Sequence, residues 1–253
     1  MERADKLLVQ SGLAASRTLA QRLIEAGKVE VERSGQWQSL EKSNTKLDSS
    51  SNFRVQDADE LRYVSRAGLK LEGALKTLDK LGLELDLSQC SVLDVGQSTG
   101  GFTDCLLKHG CRSVCGVDVG HGQLHKSLLE DTRVRCLERV NARTLSQTFV
   151  HERFDLSVMD VSFISQTLIL PELAQLLTGP SLLISLVKPQ FEVGPEGIAK
   201  GGLVKDRALY QVVEEKIRTL LQELGFKVLS WKESAIKGGD GNREFVVIAQ
   251  HLS

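Results

Sequence analysis

No stretch of this 253-residue chain approaches the roughly 18 to 20 continuous apolar residues that a membrane-crossing helix requires. The opening, MERADKLLVQSG, also lacks the basic-then-apolar plan of a secretory signal. Both absences lead to the expectation of a soluble, cytoplasmic protein. The five cysteines, Cys90, Cys105, Cys111, Cys115 and Cys136, are odd in number, and none stands in a C-x-x-C pair. They read as reduced structural thiols. A zinc half-site at Cys111 and Cys115 is the alternative, weakened because no companion Cys/His pair has ligand spacing, so no metal is expected. Net charge is nearly absent too, at −1. That value decides nothing about a nucleic-acid partner, because a binder can gather its basic residues on one face.

What is present is an ordinary globular composition, 41% hydrophobic and 26% charged, enough for one medium domain with a smaller companion. The first part reads as two short helices over 5–11 and 16–26. In the second, Ser16 is the N-cap, Leu19, Ala20, Leu23 and Ile24 make the apolar face, and Gly27 is the stop. The strand KVEVE follows. From 33 to 60 the text turns polar and serine-rich, which reads as hairpin turns and then a linker near 55–64. The boundaries are therefore 1–62 and 63–253.

Beyond Tyr63 strand and helix alternate. SVLDVG, SVCGVDVG, FDLSVMDV and SLLISLV read as strands, with a further strand expected before Asn141. GFTDCLLKHG, HKSLLE, ISQTLILPELAQLL and KDRALYQVVEEKIRTLLQELG read as helices, and KVLSWKES and EFVVIAQ as a closing hairpin around GGDGN. Alternation predicts an α/β fold with a mostly parallel sheet covered on both faces, and the hairpin adds one antiparallel strand. This seven-stranded, Rossmann-like plan resembles that of class I S-adenosylmethionine-dependent methyltransferases.

DVGQSTGGFTD, 94–104, falls between the first strand of that sheet and its helix, where such folds bind ligand. A dinucleotide fingerprint would have glycine where Ser98 stands, so a ligand without pyrophosphate fits better. Asp118 ends the next strand, 24 residues after Asp94, where a carboxylate can accept hydrogen bonds from a ribose diol. Asn141 follows the third strand, where a polar side chain can meet adenine. A purely structural glycine turn and a solvated acid are the bland readings of each. Their common register favours an adenosyl ligand.

Asp160 ends FDLSVMD, Lys188 ends SLLISLV and Glu244 opens EFVVIAQ, all on one side of the predicted sheet. Lys70, in SRAGLKLEGAL, can lean over them. Any one alone would ordinarily be a solvated charge. Taken in order, SRAGLK, DVGQSTGGFTD, GVDVGHGQL, MDVSFIS, LVKPQFE, GGLVKD and GNREF resemble the TlyA family of hemolysin-like ribosomal RNA 2′-O-methyltransferases, whose catalytic domain is FtsJ-like. RADKLLVQSGLAASRTLAQRLIEAGKVEV looks like the small α+β S4 RNA-binding module that precedes it, so the resemblance covers nearly the whole chain.

The resemblance implies S-adenosylmethionine as cofactor and ribosomal RNA, in one or both subunits, as partner. It places a Lys-Asp-Lys-Glu catalytic tetrad on Lys70, Asp160, Lys188 and Glu244. Cofactor contacts fall on Gly96, Ser98, Gly100, Gly101, Phe102, Asp118 and Asn141, with Asp160 shared between cofactor and substrate. Two departures stand out: Gln97 replaces a small residue after Gly96, and VERSGQW replaces the usual V-N-G turn of the S4 module.

A ribose 2′-hydroxyl is a poor nucleophile, so methyl transfer needs in-line alignment and removal of its proton. Lys188 is the expected base, with Lys70 holding substrate and the two acids orienting the lysines. Pro189 stops the strand and turns QFEVGPEG outward as a loop beside the substrate. Base-amino methylation commonly uses [DN]-P-P-[FYW], but the chain reads D-V-S-F. Carbon-5 methylation needs a cysteine at the catalytic end, and none follows a strand there. Arg3, Arg17, Arg22 and Lys28 are the candidate RNA-binding residues of the first part, with solvated helix charges as the bland reading. A membrane-active cytolysin and an inactive RNA-binding assembly factor are the competing functions.

Overall fold

The computed structural model describes residues 1–14, 16–56, 62–238 and 241–252. The chain divides into two compact units, Met1–Tyr63 and Val64–Ser253. Of the expected linker, residues 57–61 lie outside the described residues, as do Gly239 and Asp240 of the GGDGN turn.

The first unit opens with strand β1 (Glu2–Arg3), α1 (Ala4–Gln10) and α2 (Arg17–Glu25). The Ser16 hydroxyl accepts the Leu19 N–H at 3.2 Å, satisfying one of the four donors that a helix start leaves open. Leu19, Ala20, Leu23 and Ile24 are buried, as their spacing requires, and pack with Leu7, Leu8, Val29 and Val31 into one core.

The polar text after Arg33 holds more structure than turns. β2 (Val29–Arg33) pairs with β3 (Gln36–Ser39) and β5 (Phe53–Val55), and β4 (Lys46–Leu47) pairs with β1. All four residues of β3 are exposed, so no apolar alternation marks it in the sequence. The β2–β3 connection is the two-residue turn Ser34–Gly35, with φ of 52° and 76°. Two positive φ values suit a hairpin to the twist of its strands, and Ser34–Gly35 thus serves where a V-N-G turn was expected.

The second unit is built on seven strands: β6 (Ser91–Val95), β7 (Ser113–Asp118), β8 (Val134–Glu138), β9 (Phe154–Met159), β10 (Leu177–Val187), β11 (Phe226–Glu233) and β12 (Phe245–His251). Their order is β11-β12-β10-β9-β6-β7-β8. Every neighbouring pair is parallel except those of β12, which runs against both β10 and β11. The central strands are nearly continuous apolar runs because both faces are covered: Leu93, Val95, Leu156, Val158, Leu183 and Val187 are fully buried.

Of the helices, α3 (Ala67–Lys80) precedes the sheet, α4 (Gly101–Lys108) follows β6, α5 (Lys126–Leu129), α6 (Leu145–Thr148) and α7 (Leu170–Leu176) are short, and α8 (Ala208–Glu223) buries Val213, Ile217 and Leu221 along one stripe. The helix expected over ISQTLILPELAQLL is split. Gln166–Leu168 forms a 3-10 turn, and a separate α-helix begins at Leu170. Pro171 has no N–H and is tolerated only in a first turn, so the helix has to start there. β10 is longer than SLLISLV, starting at Leu177 with a shift of register between Leu177 and Leu182. Among the described residues no helix is long and apolar enough to cross a membrane.

Replacing Ser16 with alanine should cost about 1 kcal/mol of stability by loss of the cap. Urea unfolding of the full chain followed by circular dichroism reads that loss, and an unchanged midpoint would show that the cap contributes nothing.

Candidate active site

The switch in strand order lies between β9 and β6, and there the carboxyl ends of two adjacent strands open a crevice. Asp160 follows β9, and its N–H donates to Val95 O at 3.0 Å, locking it beside the end of β6. The glycine loop starts one residue further on. A Cβ on Gly96 would lie 2.4 Å from the Asp160 carbonyl oxygen, and its φ is 83°, so only glycine fits. Gly100 caps α4 in a left-handed conformation. Gly101 lets that helix start sit against Ser65, whose Oγ would be 2.1 Å from an added Cβ. Phe102 is buried beneath.

Gln97 is the departure from the small residue expected, and the structure gives its reason. Its side chain lies over Gly116 of β7, where a Cβ would come within 2.0 Å of the Gln97 amide carbon. A glutamine at 97 is accommodated because residue 116 is glycine. Its Nε2 donates to Thr103 Oγ1 at 2.9 Å, and Thr103 donates to Asp94 Oδ2 at 2.6 Å. This buried relay braces the loop from below. Burial lifts the Asp94 carboxyl to about 7, against the Thr103 hydrogen bond and with help from the negative charges of Asp160 and Asp118.

Asp118 ends β7 as expected. Its two oxygens accept the N–H groups of Ser98, at 2.8 Å, and Gly120, at 2.7 Å. Ser98 itself holds a φ of 47°. Two N–H contacts leave a carboxylate further lone pairs for a ribose diol. Val140 N–H donates to Asp118 O, which brings the β8 exit alongside; Asn141 there is exposed and caps a 3-10 turn through the Arg143 N–H. Glu138, which the sequence reading passed over, ends β8 opposite Asp118 and accepts the Gly122 N–H at 2.5 Å. Its place directly after a strand run was the available signal.

The four tetrad candidates form two ion pairs. Lys188 Nζ lies 2.6 Å from Asp160 Oδ1 and donates to Ser162 Oγ at 2.9 Å. Lys70 Nζ donates to Glu244 Oε2 at 2.5 Å, with both side chains at least nine-tenths buried. Glu244 reaches the catalytic edge only because β12 runs backwards, so that its start rather than its end lies beside the other strands' exits.

Two cavities meet at this point. One of about 150 Å³ is lined by Gly96, Ser98, Gly101, Phe102 and Asp160, and one of about 400 Å³ by Phe163, Gln190, Phe191, Ile198 and Glu244. Lys188 and Ser162 line both. Of the expected catalytic and cofactor-binding residues, Lys70, Gly100, Asp118 and Asn141 line neither, and Lys70 lines a separate cavity with Gly73, Thr77 and Lys232. Ser162 and Phe163 carried no signal beyond their position after Asp160. Phe163 is 90% exposed at a φ of 64°, with its ring 5.1 Å from that of Phe191.

A model of FtsJ-like methyltransferases matches residues 63–251, and one of S4 domains matches residues 2–32. The 16S/23S rRNA (cytidine-2′-O)-methyltransferase TlyA of Mycobacterium tuberculosis is 40% identical over 243 residues, covering 96% of this chain and 87% of that protein. The chain belongs to the TlyA family of FtsJ-like methyltransferases. Hemolysin A of Brachyspira hyodysenteriae is 36% identical, over 96% of this chain and 98% of its own length. A solved chain from Streptococcus thermophilus, described as a hemolysin, is 38% identical with a TM-score of 0.75, covering 100% of this chain and 89% of that one.

Among the described residues no disulfide joins the five cysteines of this TlyA-family chain, and four of them are buried. Desolvation raises Cys90 to about 11 and also raises Cys111, Cys115 and Cys136, so they are thiols rather than thiolates at neutral pH. In the S4 unit, Arg3 and Arg17 converge with Gln21 on the carboxylate of Asp5, at 2.7 to 3.1 Å. Those bonds, Arg3's first, hold the buried Asp5 well below the usual carboxylate range. The two arginines are exposed and oriented by one acid. Arg22 and Lys28 are half-buried.

A carboxyl whose folded pKa is raised stabilises fully below its unfolded value and loses that contribution as pH rises through the folded one. Asp94, at about 7 against an ordinary 3.8, should therefore make the protein progressively less stable as pH rises from about 4 to about 7. Asp94→Asn removes this slope, so melting temperatures of variant and wild type should shift in the variant's favour across that range. Parallel curves would show that Asp94 stays ionised.

Proposed function

We propose that this protein is an S-adenosylmethionine-dependent methyltransferase that methylates the ribose 2′-oxygen of cytidine in ribosomal RNA, of the small subunit, the large subunit or both. The observation that carries the reading is the position of Lys188. It stands at the junction of the two cavities, one bounded by the glycine loop and one open to a larger acceptor, and is held by Asp160 and Ser162. The cytidine preference comes from the TlyA relative.

The glycine loop suits the cofactor. Gly96, Ser98, Gly100, Gly101 and Phe102 offer close backbone approach, Asp118 takes the ribose diol, Asn141 meets the adenine, and Asp160 faces both cofactor and substrate. When bound, S-adenosylmethionine supplies an electrophilic methyl on a sulfonium. Lys188 aligns the 2′-hydroxyl and receives its proton as the new O–C bond forms and the methyl's bond to sulfur breaks. Asp160 fixes the direction of the lysine. Lys70, neutralised by Glu244, flanks the acceptor and hydrogen-bonds its oxygens.

Residues 1–62 form the RNA-binding module and 63–253 the catalytic one. Arg3 and Arg17, presented by Asp5, give phosphate contacts, joined by Arg22 and Lys28. Tethering two RNA-binding surfaces raises the effective concentration of the target nucleotide. The natural setting is the cytoplasm, on ribosomal subunits. The cytolysin reading rests on the names of relatives alone. The inactive assembly factor is disfavoured because all four tetrad residues are present and paired.

Ribosomal subunits and naked ribosomal RNA, incubated with labelled S-adenosylmethionine, should acquire a 2′-O-methyl group mapped to cytidine. Lys188→Ala should lower transfer by roughly 100-fold or more while cofactor binding survives. Label on a base, or undiminished transfer by the variant, would overturn the reading.

A further inference from the structure

LVKPQFE contains a second charged residue beyond Lys188, and the chemistry so far leaves it unused. Glu192 lies in the loop that leaves β10, with its side chain 1% exposed. A buried carboxylate is costly unless every lone pair finds a donor, and Glu192 is well supplied. Oε1 accepts the Gln166 N–H at 2.7 Å, and Oε2 accepts the Ser165 hydroxyl at 2.6 Å. The Lys216 ammonium of α8 reaches both Oε2, at 3.3 Å, and the Glu192 carbonyl, at 3.1 Å. Gln166 is buried too. Its Oε1 accepts from Ser185 Oγ at 2.8 Å, and its Nε2 donates to Leu186 O at 2.7 Å.

The placement of these bonds matters more than their number. Ser165 and Gln166 belong to the segment leaving β9, the one that carries Asp160 and Ser162. Glu192 belongs to the segment leaving β10, the one that carries Lys188. The two segments are therefore cross-linked twice: by Lys188 to Asp160 and Ser162 at the reaction centre, and by Glu192 to Ser165 and Gln166 behind it. The first link has to loosen when Lys188 turns to the acceptor oxygen. The second does not.

We infer that Glu192 is a positioning residue for methyl transfer. It locks the two strand-end segments together, so that Lys188 stays in line with the acceptor oxygen when its contacts with Asp160 and Ser162 are exchanged for contact with substrate. Glu192 itself touches neither substrate nor cofactor. The inference rests on the proposed role of Lys188.

The test uses the full chain, with rates expressed per cofactor-binding site so that loss of folded protein is divided out. Glu192→Gln should lower kcat on ribosomal RNA by about 10- to 100-fold, the scale expected for misplacing a reacting group by about 1 Å. Cofactor affinity should stay within about twofold, because the glycine loop belongs to a different segment. Adding Glu192→Gln to Lys188→Ala should lower the residual rate by no more than about twofold, since a residue acting through Lys188 has nothing left to position.

Ser165→Ala, which removes the hydroxyl's bond to the Glu192 carboxylate together with its contacts to Thr167, leaves the Gln166 N–H and Lys216 bonds to Glu192 in place and should show the same split at smaller size. It carries the test if Glu192→Gln fails to fold. Unchanged kcat per site in the folded variant, or a full multiplicative loss in the Lys188→Ala background, overturns the inference and leaves the proposed function standing. Absence of 2′-O transfer by the wild type overturns the function instead.

Discussion

An ammonium and a carboxylate 2.6 Å apart at the exits of two neighbouring strands, Lys188 and Asp160, are the contact around which the second unit is organised. The two residues are 28 positions apart in sequence and belong to adjacent parallel strands. Holding them together requires that β10 run only two residues past the end of β9, Ser185 lying beside Met159 in register. It also requires β6 beside them, so that the glycine loop arrives at the same edge, and β12 running in reverse, so that Glu244 does. Each of these is a property of sheet order. The glycine at 96 is part of the same constraint, because any side chain there would push against the Asp160 carbonyl.

Charge is matched pair by pair within the site. Asp160 faces Lys188 and Glu244 faces Lys70, so four mostly buried ionisable groups are accommodated without a net charge. Burying one member alone would be strongly unfavourable, whereas a paired set costs far less and holds its geometry. The same logic recurs away from the reaction centre, with Glu192 collecting Lys216, Ser165 and the Gln166 N–H. In the S4 unit, Asp5 collects Arg3, Arg17 and Gln21. In each case a buried acid gathers the donors around it and fixes their direction.

Much of this was legible in the residues. The seven strands, the reversed last one, the cap at Ser16, and the glycine loop followed by an acid at 118 all stand in local patterns of apolarity and turn chemistry. The polar strand Gln36–Ser39 did not, because a strand exposed on both faces has no period to read. Nor did the break before Leu170, where the apolar spacing of a helix continues across a turn that Pro171 forces to start afresh. Of the site residues missed, Ser162 and Glu192 resemble any surface serine or glutamate in the sequence. Their significance lies in what faces them across the gap between strands. Gln97 looked like a defect in the loop until Gly116, on the next strand, was seen to make room for it.

The sequence by itself determined the order of strands and helices, the division into a small unit and a larger one, and the residue types available at each strand end. These depend on interactions between residues close in the chain: side-chain period, caps, and the φ angles that glycine and proline permit. Only the tertiary structure decided which lysine pairs with which acid, that the glycine-loop cavity and the larger cavity beside it share Lys188, and that Glu192 is buried. Those are contacts between segments separated by tens of residues, up to 174 for Lys70 and Glu244. No local pattern encodes them; they exist because sheet order brings the strand exits together.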